Sequence, residues 1–156
     1  MARWAPLIER GLVLDMASGQ GRHARFFAER GLQVVAVDRE QQAFSDQITF
    51  VKADLENGGP WPFAGQRFAG IVVANYLYRP LLPVIAEALA PGGILIYETF
   101  MLGNERYGRP SNPEFLLRPG ELLDVFKALE LVAFEQGVIR RPKPAVVQRL
   151  CARRKG

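Results

Sequence analysis

The chain has 156 residues, 49% of them hydrophobic, a formal net charge of +4 and a single cysteine. That length suits one domain spanning residues 1–156, able to bury roughly 70% of the surface its unfolded chain exposes, and one cysteine excludes an internal disulfide and a cysteine metal cluster, so no metal site is expected. The apolar runs are strand-length and broken by charge, Gly or Pro, which excludes a membrane-spanning helix, and no basic segment followed by an apolar one opens the chain, so a cytoplasmic protein without a membrane partner is expected.

"LVLDM" (12–16) reads as a first buried strand, and the helix after it places Ala24, Phe27 and Ala28 on one face and stops at Gly31. "QVVAVD" (33–38) and "ITFVKAD" (48–54) read as the second and third strands. The stretch 55–67 is too rich in Gly and Pro for a helix and is expected to be a loop pinned by Trp61 and Phe63, before a fourth strand, "FAGIVVAN" (68–75).

A helix starting at Pro80 aligns Leu81, Ile85, Ala88 and Leu89, and "PGG" (91–93) turns the chain into a fifth strand, "ILIYETF" (94–100). Residues 101–118 lack periodicity, and a loop of that length inside a compact domain is usually functional or disordered. Pro119 then opens a helix with Leu122, Val125, Phe126 and Leu129 on one face. The last two apolar runs, 129–139 and 145–152, are separated by five residues, too few for a helical crossover, and so must pair antiparallel; Cys151 lies in the second as a core residue. Alternating strands and helices argue for a doubly wound α/β sheet.

In such a sheet, ligands sit at the carboxyl ends of the strands. The first four strands end in Asp15, Asp38, Asp54 and Asn75, and the fifth passes through Glu98 near its end. One such residue is an ordinary helix cap; the recurrence at four or five strand ends is more informative.

Gly19, Gly21 and Ala24 fit a dinucleotide-binding fingerprint, and Asp38, 17 positions after Gly21, suits ribose hydroxyls. Asp15 points elsewhere. A carboxylate four residues before Gly19 would repel a pyrophosphate and attract a cationic ligand group. This disfavours an NAD(P) oxidoreductase, as does the absence of a second substrate domain.

With "VLDMASGQG", "VVAVD", "VKADLE" and "LAPGGILIYETF" in order, the chain resembles class I S-adenosylmethionine-dependent methyltransferases along nearly its whole length, and is similar to small ones of the tellurite-resistance type. The resemblance implies a Rossmann-like, mostly parallel seven-stranded sheet of order 3-2-1-4-5-7-6 with strand 7 antiparallel, and S-adenosyl-L-methionine as cofactor. It implies that the backbone around Ala17, Ser18 and Gly19 approaches the methionine moiety, with Asp15 nearby, and that Gly21 lets the helix start come close. Asp38 would hold the ribose, Asp54 and the Leu55 amide the adenine, and Asn75 the methionine moiety and reactive methyl. Arg39 could lay its stem on the adenine face.

Three departures qualify the match. Ala17 replaces the first loop glycine, which is tolerable if its φ stays negative. Only about eleven residues precede the first strand, where the family usually has a covering helix, so either the pocket is open or "MARWAPLIER" is that helix's stub with Trp4 near the site. Asn75 continues as "NYLY", which lacks the prolines that shape a flipped-base pocket.

A small-molecule methyl acceptor is the expected partner. Asn75, Tyr78 and Glu98 are candidates for its side of the site, with Tyr76 and Arg79, while Arg106, Arg109 and Arg118 would suit an anion and Gly103 and Gly108 could hinge a lid. His23, the one histidine, stands at a helix start that favours its neutral form and a packing role. Two other readings stay open: a cofactor-binding module or noncatalytic partner subunit, and an RNA or protein methyltransferase using the basic stretches 140–143 and 152–156. Nucleic acid is the weaker partner because no basic stripe interleaved with aromatics accompanies the tail. The residues do not specify an oligomeric state.

Overall fold

The apolar runs form strands, of which the inner ones are covered on both faces while the edge strand 130–139 is largely exposed. A computed structural model describing residues 2–156 contains β1 (Leu12–Met16), β2 (Gln33–Asp38), β3 (Ile48–Lys52), β4 (Phe68–Ala74), β5 (Leu89–Phe100), β6 (Glu130–Ile139) and β7 (Ala145–Arg153). They make one sheet in the order β3-β2-β1-β4-β5-β7-β6, with β1 to β5 parallel and β7 antiparallel to both β5 and β6. Both the order and the antiparallel seventh strand match the sequence expectation.

Successive side chains alternate between faces, so the near-continuous apolar runs feed two cores. Leu14, Val35, Ile71, Leu95 and Tyr97 face one, closed by α2 (Leu82–Ala88) and α3 (Glu121–Val125). Val13, Val34, Ala36, Val72 and Ile96 face the other, closed by Ala24, Phe27 and Ala28 of α1 (Arg22–Glu29) and by Ala5 and Ile8. Phe63 is buried in the first core with Trp61 packed edge-on against it at 5.2 Å, so the 55–67 loop is pinned as its composition suggests.

Several boundaries differ from the sequence reading. β3 stops at Lys52, where Ala53 N–H makes the last bond of the ladder, to the Asp38 carbonyl (3.0 Å), and β4 stops at Ala74, where Asn75 takes a left-handed φ of 56°. β5 begins at Leu89, so "PGG" lies inside it as an irregularity: pairing with β4 slips between Phe68 and Gly70, and Gly92 and Gly93 exchange backbone hydrogen bonds with Arg154. The helix after Pro119 keeps only five residues, leaving Val125 exposed while Leu122 and Phe126 fill the core.

The segment 101–118 is a closed, packed loop. Met101 bridges Leu117, Leu116 and Leu117 are fully buried, and the Asn104 side chain bonds Val146 N–H and the Pro110 carbonyl. Its lack of periodicity reflects two single 3-10 turns, Asn104–Arg106 and Pro113–Phe115. Ala2–Leu7 forms another 3-10 segment; Arg3 pairs with Glu135, and Trp4 packs on the α1 core, outside the residues that line the cavities at the strand ends. No helix among the described residues is long and apolar enough to cross a membrane.

Candidate active site

The parallel register aligns the strand ends. Met16 pairs with Val37, Asp38 with Lys52, and Ala74 with Glu98, which puts Asp15, Asp38, Asp54 and Asn75 along one rim. The loop leaving β1 folds back over that rim: Ser18 N–H donates to the Val37 carbonyl (2.9 Å) and Gly19 N–H to Asp38 Oδ2 (2.8 Å). The turn requires left-handed backbone at Ala17 (φ 54°), which corrects the expected negative φ there and stores about 1–2 kcal/mol of strain. Gly21 (φ 86°) begins α1 with the Phe44 ring so close that a Cβ would lie 2.1 Å from it.

Three adjoining cavities open along the rim. The first, about 430 Å³, is lined by Ala17, Asp38, Arg39, Asp54, Leu55 and Tyr76. Asp38 accepts the amides of Gly19 and Glu40 (3.0 Å), one on each oxygen, which fixes the carboxylate and leaves each oxygen a further lone pair for a hydroxyl. Asp54 accepts Glu56 N–H at 2.9 Å, an arrangement that aims the chain after β3 into the cavity.

The second cavity, about 390 Å³, shares Ala17 with the first and contains Asp15, Ser18, Gly19, Arg22, His23 and Asn75. Asp15 is 2% exposed. Its Oδ2 and the Ser18 hydroxyl have no hydrogen-bond partner among the described residues. Burial pushes the Asp15 carboxyl up to about 7; the Ala24 amide offsets part of this and the Asp38 charge adds to it. A buried, unpartnered acid facing a cavity is a site waiting for a donor, and a cation there would restore its ionised form. Burial and neighbouring Arg22 hold His23 below the usual imidazole range, hence neutral at pH 7.

The third cavity, about 280 Å³, joins the second through Asn75 and the first through Glu56, Tyr76 and Phe115; Thr99 and Phe100 form its floor. The Tyr76 hydroxyl donates to Glu56 Oε2 (3.0 Å), and with burial this carboxylate keeps the phenol protonated.

The structure therefore brings Asp15, Ala17, Ser18, Gly19, Asp38, Arg39, Asp54, Leu55 and Asn75 together, with Gly21 just behind. It does not bring Glu98, Tyr78 or Arg79 to these cavities. Glu98 pairs with Arg149 (2.7 Å), its neighbour across β5 and β7, Tyr78 packs against the core, and Arg79 is taken up by Glu121 (2.7 Å). Tyr97 is fully buried, its hydroxyl bonded to the Tyr76 carbonyl. None of Arg106, Arg109 and Arg118 lines a cavity on the rim. Glu56 and Phe115, on loops, and Thr99 and Phe100, at the end of β5, are site residues the sequence did not single out; nor did it single out Arg22, which its place as first residue of the helix after the glycine loop could have revealed.

No protein-family model and no curated protein sequence matches the chain. Solved structures do. TehB from Haemophilus influenzae superposes with a TM-score of 0.80 at 17% identity over 99% of this chain, which spans 61% of the length of that protein. A Mesorhizobium loti S-adenosylmethionine-dependent methyltransferase gives 0.73 at 16% identity, covering 99% of this chain and 98% of its own. Burkholderia thailandensis 1,6-didemethyltoxoflavin-N1-methyltransferase, solved with 1,6-didemethyltoxoflavin and S-adenosylhomocysteine bound, gives 0.69 at 19% identity over 98% of this chain and 75% of its own. The protein thus has the class I S-adenosylmethionine-dependent methyltransferase fold.

Proposed function

We propose that this protein is an S-adenosylmethionine-dependent methyltransferase that acts on a small-molecule acceptor by in-line methyl transfer. The observation that carries the reading is the buried Asp15 carboxyl, whose Oδ2 has no partner among the described residues, beside the glycine loop and within a cavity that also holds Arg22. A zwitterionic amino-acid group satisfies both signs of charge; a pyrophosphate would add repulsion at Asp15. Asp15 and Ser18 would bind the methionine moiety, Asp38 the ribose hydroxyls, and Asp54 with the Leu55 amide the adenine, with Arg39 against its face.

When bound, the cofactor supplies a methyl group already activated on a sulfonium, so the protein's work is to align an acceptor with it and keep water out. Asn75 belongs to both the methionine cavity and the third cavity, which supports the latter as the acceptor side. Incubation with methyl-labelled cofactor and a fractionated metabolite extract tests the reading: label should appear in small molecules. Label confined to RNA or protein would contradict it, and cofactor binding without any transfer would favour a cofactor-binding module.

A further inference from the structure

We propose that the third cavity takes a flat, uncharged nitrogen compound, a heteroaromatic N–H or an arylamine, whose N–H is held by Glu56. The inference rests on the methyltransferase reading and deepens it by naming the acceptor's chemistry.

The lining is mostly apolar, with three aromatic side chains: Leu77, Phe100, Pro110, Phe115 and Tyr76, beside Asn75 and Thr99. About 280 Å³ admits one or two fused rings. Its one acidic side chain is Glu56, and no Lys, Arg or His joins it among the described lining residues. None of Arg79, Arg106, Arg109 and Arg118 is on the lining, and three of them are engaged elsewhere. Arg79 donates to Glu121 and to the Glu114 and Leu116 carbonyls, Arg118 approaches Glu121, and Arg106 bonds the Gly103 carbonyl beside the Tyr107 ring.

An oxyanion would therefore meet a carboxyl group with no guanidinium among the residues that line this cavity. A neutral N–H donor meets an acceptor that Tyr76 has already oriented through Oε2, leaving Oε1 with free capacity. In the transfer step the acceptor nitrogen forms the new N–C bond, with its lone pair in an arylamine or with the electron pair its N–H bond releases in a heteroaromatic, as the S–C bond breaks and its electrons go to sulfur. The N–H proton passes to Glu56, which is open to water.

The test is binding of three probes to protein saturated with S-adenosylhomocysteine, followed by calorimetry and by amide shifts at Thr99 and Phe100: benzimidazole, 1-methylbenzimidazole and benzoate. Benzimidazole should bind at least tenfold more tightly than benzoate, with 1-methylbenzimidazole between them. Glu56→Gln should shrink the benzimidazole–benzoate ratio at least threefold, and Phe100→Trp, which fills the cavity, should weaken benzimidazole tenfold or more. Benzoate binding as well as benzimidazole, or a Phe100→Trp variant that still binds it fully, overturns the acceptor inference alone. Failure of S-adenosylhomocysteine itself to bind overturns the methyltransferase reading along with it.

Discussion

Arg79 and Glu121 meet through two parallel hydrogen bonds, Nε to Oε2 at 2.7 Å and Nη2 to Oε1 at 2.9 Å. The same guanidinium reaches the carbonyls of Glu114 (3.0 Å) and Leu116 (2.9 Å), so one side chain fastens the link after β4 to α3 and to the loop that carries Phe115. Burial works against the Glu121 charge, but the bonds from Arg79 and from Arg118 N–H outweigh it and hold the carboxyl below its ordinary range.

Arg79→Ala strands a carboxylate that is 6% exposed. Because Arg79 itself is about one-third exposed and solvent screens it, the expected cost is about 1–3 kcal/mol rather than that of a fully buried pair. Urea unfolding should show this, and hydrogen exchange should accelerate at Leu116 and Leu117. Glu121 titrates lower when folded, so the pair's contribution is present above the ordinary carboxylate range and fades as pH falls through the lowered value. The difference between wild type and variant should shrink accordingly in acid.

Asp15 gives the opposite pH signature. Its folded value of about 7 lies above the unfolded 3.8, so its contribution is intact below 3.8 and is lost as pH rises to about 7. Without ligand, Asp15→Asn should be more stable than wild type at pH 8, by about 1–3 kcal/mol in chemical denaturation, while binding S-adenosylhomocysteine at least tenfold more weakly. An unaltered stability profile would show that the Asp15 carboxyl does not carry this penalty.

Asp38→Ala removes the anchor of the Gly19 amide together with the ribose acceptor. The dissociation constant for S-adenosylhomocysteine should rise tenfold or more, the loss expected from charge-assisted hydrogen bonds. Unchanged affinity in a folded variant refutes the ribose assignment.

At Gly21 a Cβ would collide with the Phe44 ring, at 2.1 Å and 2.4 Å, in a backbone conformation that disfavours side chains. Gly21→Ala should cost about 1–3 kcal/mol and lower the melting temperature by several degrees. Pairing it with Phe44→Ala should restore part of the loss.

The sheet was legible because local signals agree with the global fold: apolar runs of strand length, the first four closing on a polar residue, and a five-residue link that forces the final hairpin. The acidic rim followed from the same pattern. Pairings across long stretches of chain were not legible. Glu98 looks like a site residue until the register of β5 against β7 sets it opposite Arg149, and Arg79 looks like an acceptor contact until the fold carries Glu121 to it. Ala17 shows a local expectation overridden: the hydrogen bond from Ser18 to Val37 dictates the turn, and an L-residue accepts the strain. Residues 101–118 hid their order because it comes from buried Leu116, Leu117 and Asn104 rather than from any period.

The account depends on the rim holding a cationic nucleoside amino acid, and parallel calorimetric titrations with S-adenosylmethionine and NAD between pH 5.5 and 8 test it most directly. S-adenosylmethionine should bind with an affinity that rises as pH approaches about 7 and then levels, with proton release on the rising part, because the bound ammonium keeps Asp15 ionised; NAD should give no heat of binding. Comparable binding of NAD, or S-adenosylmethionine affinity indifferent to pH across that range, would contradict it.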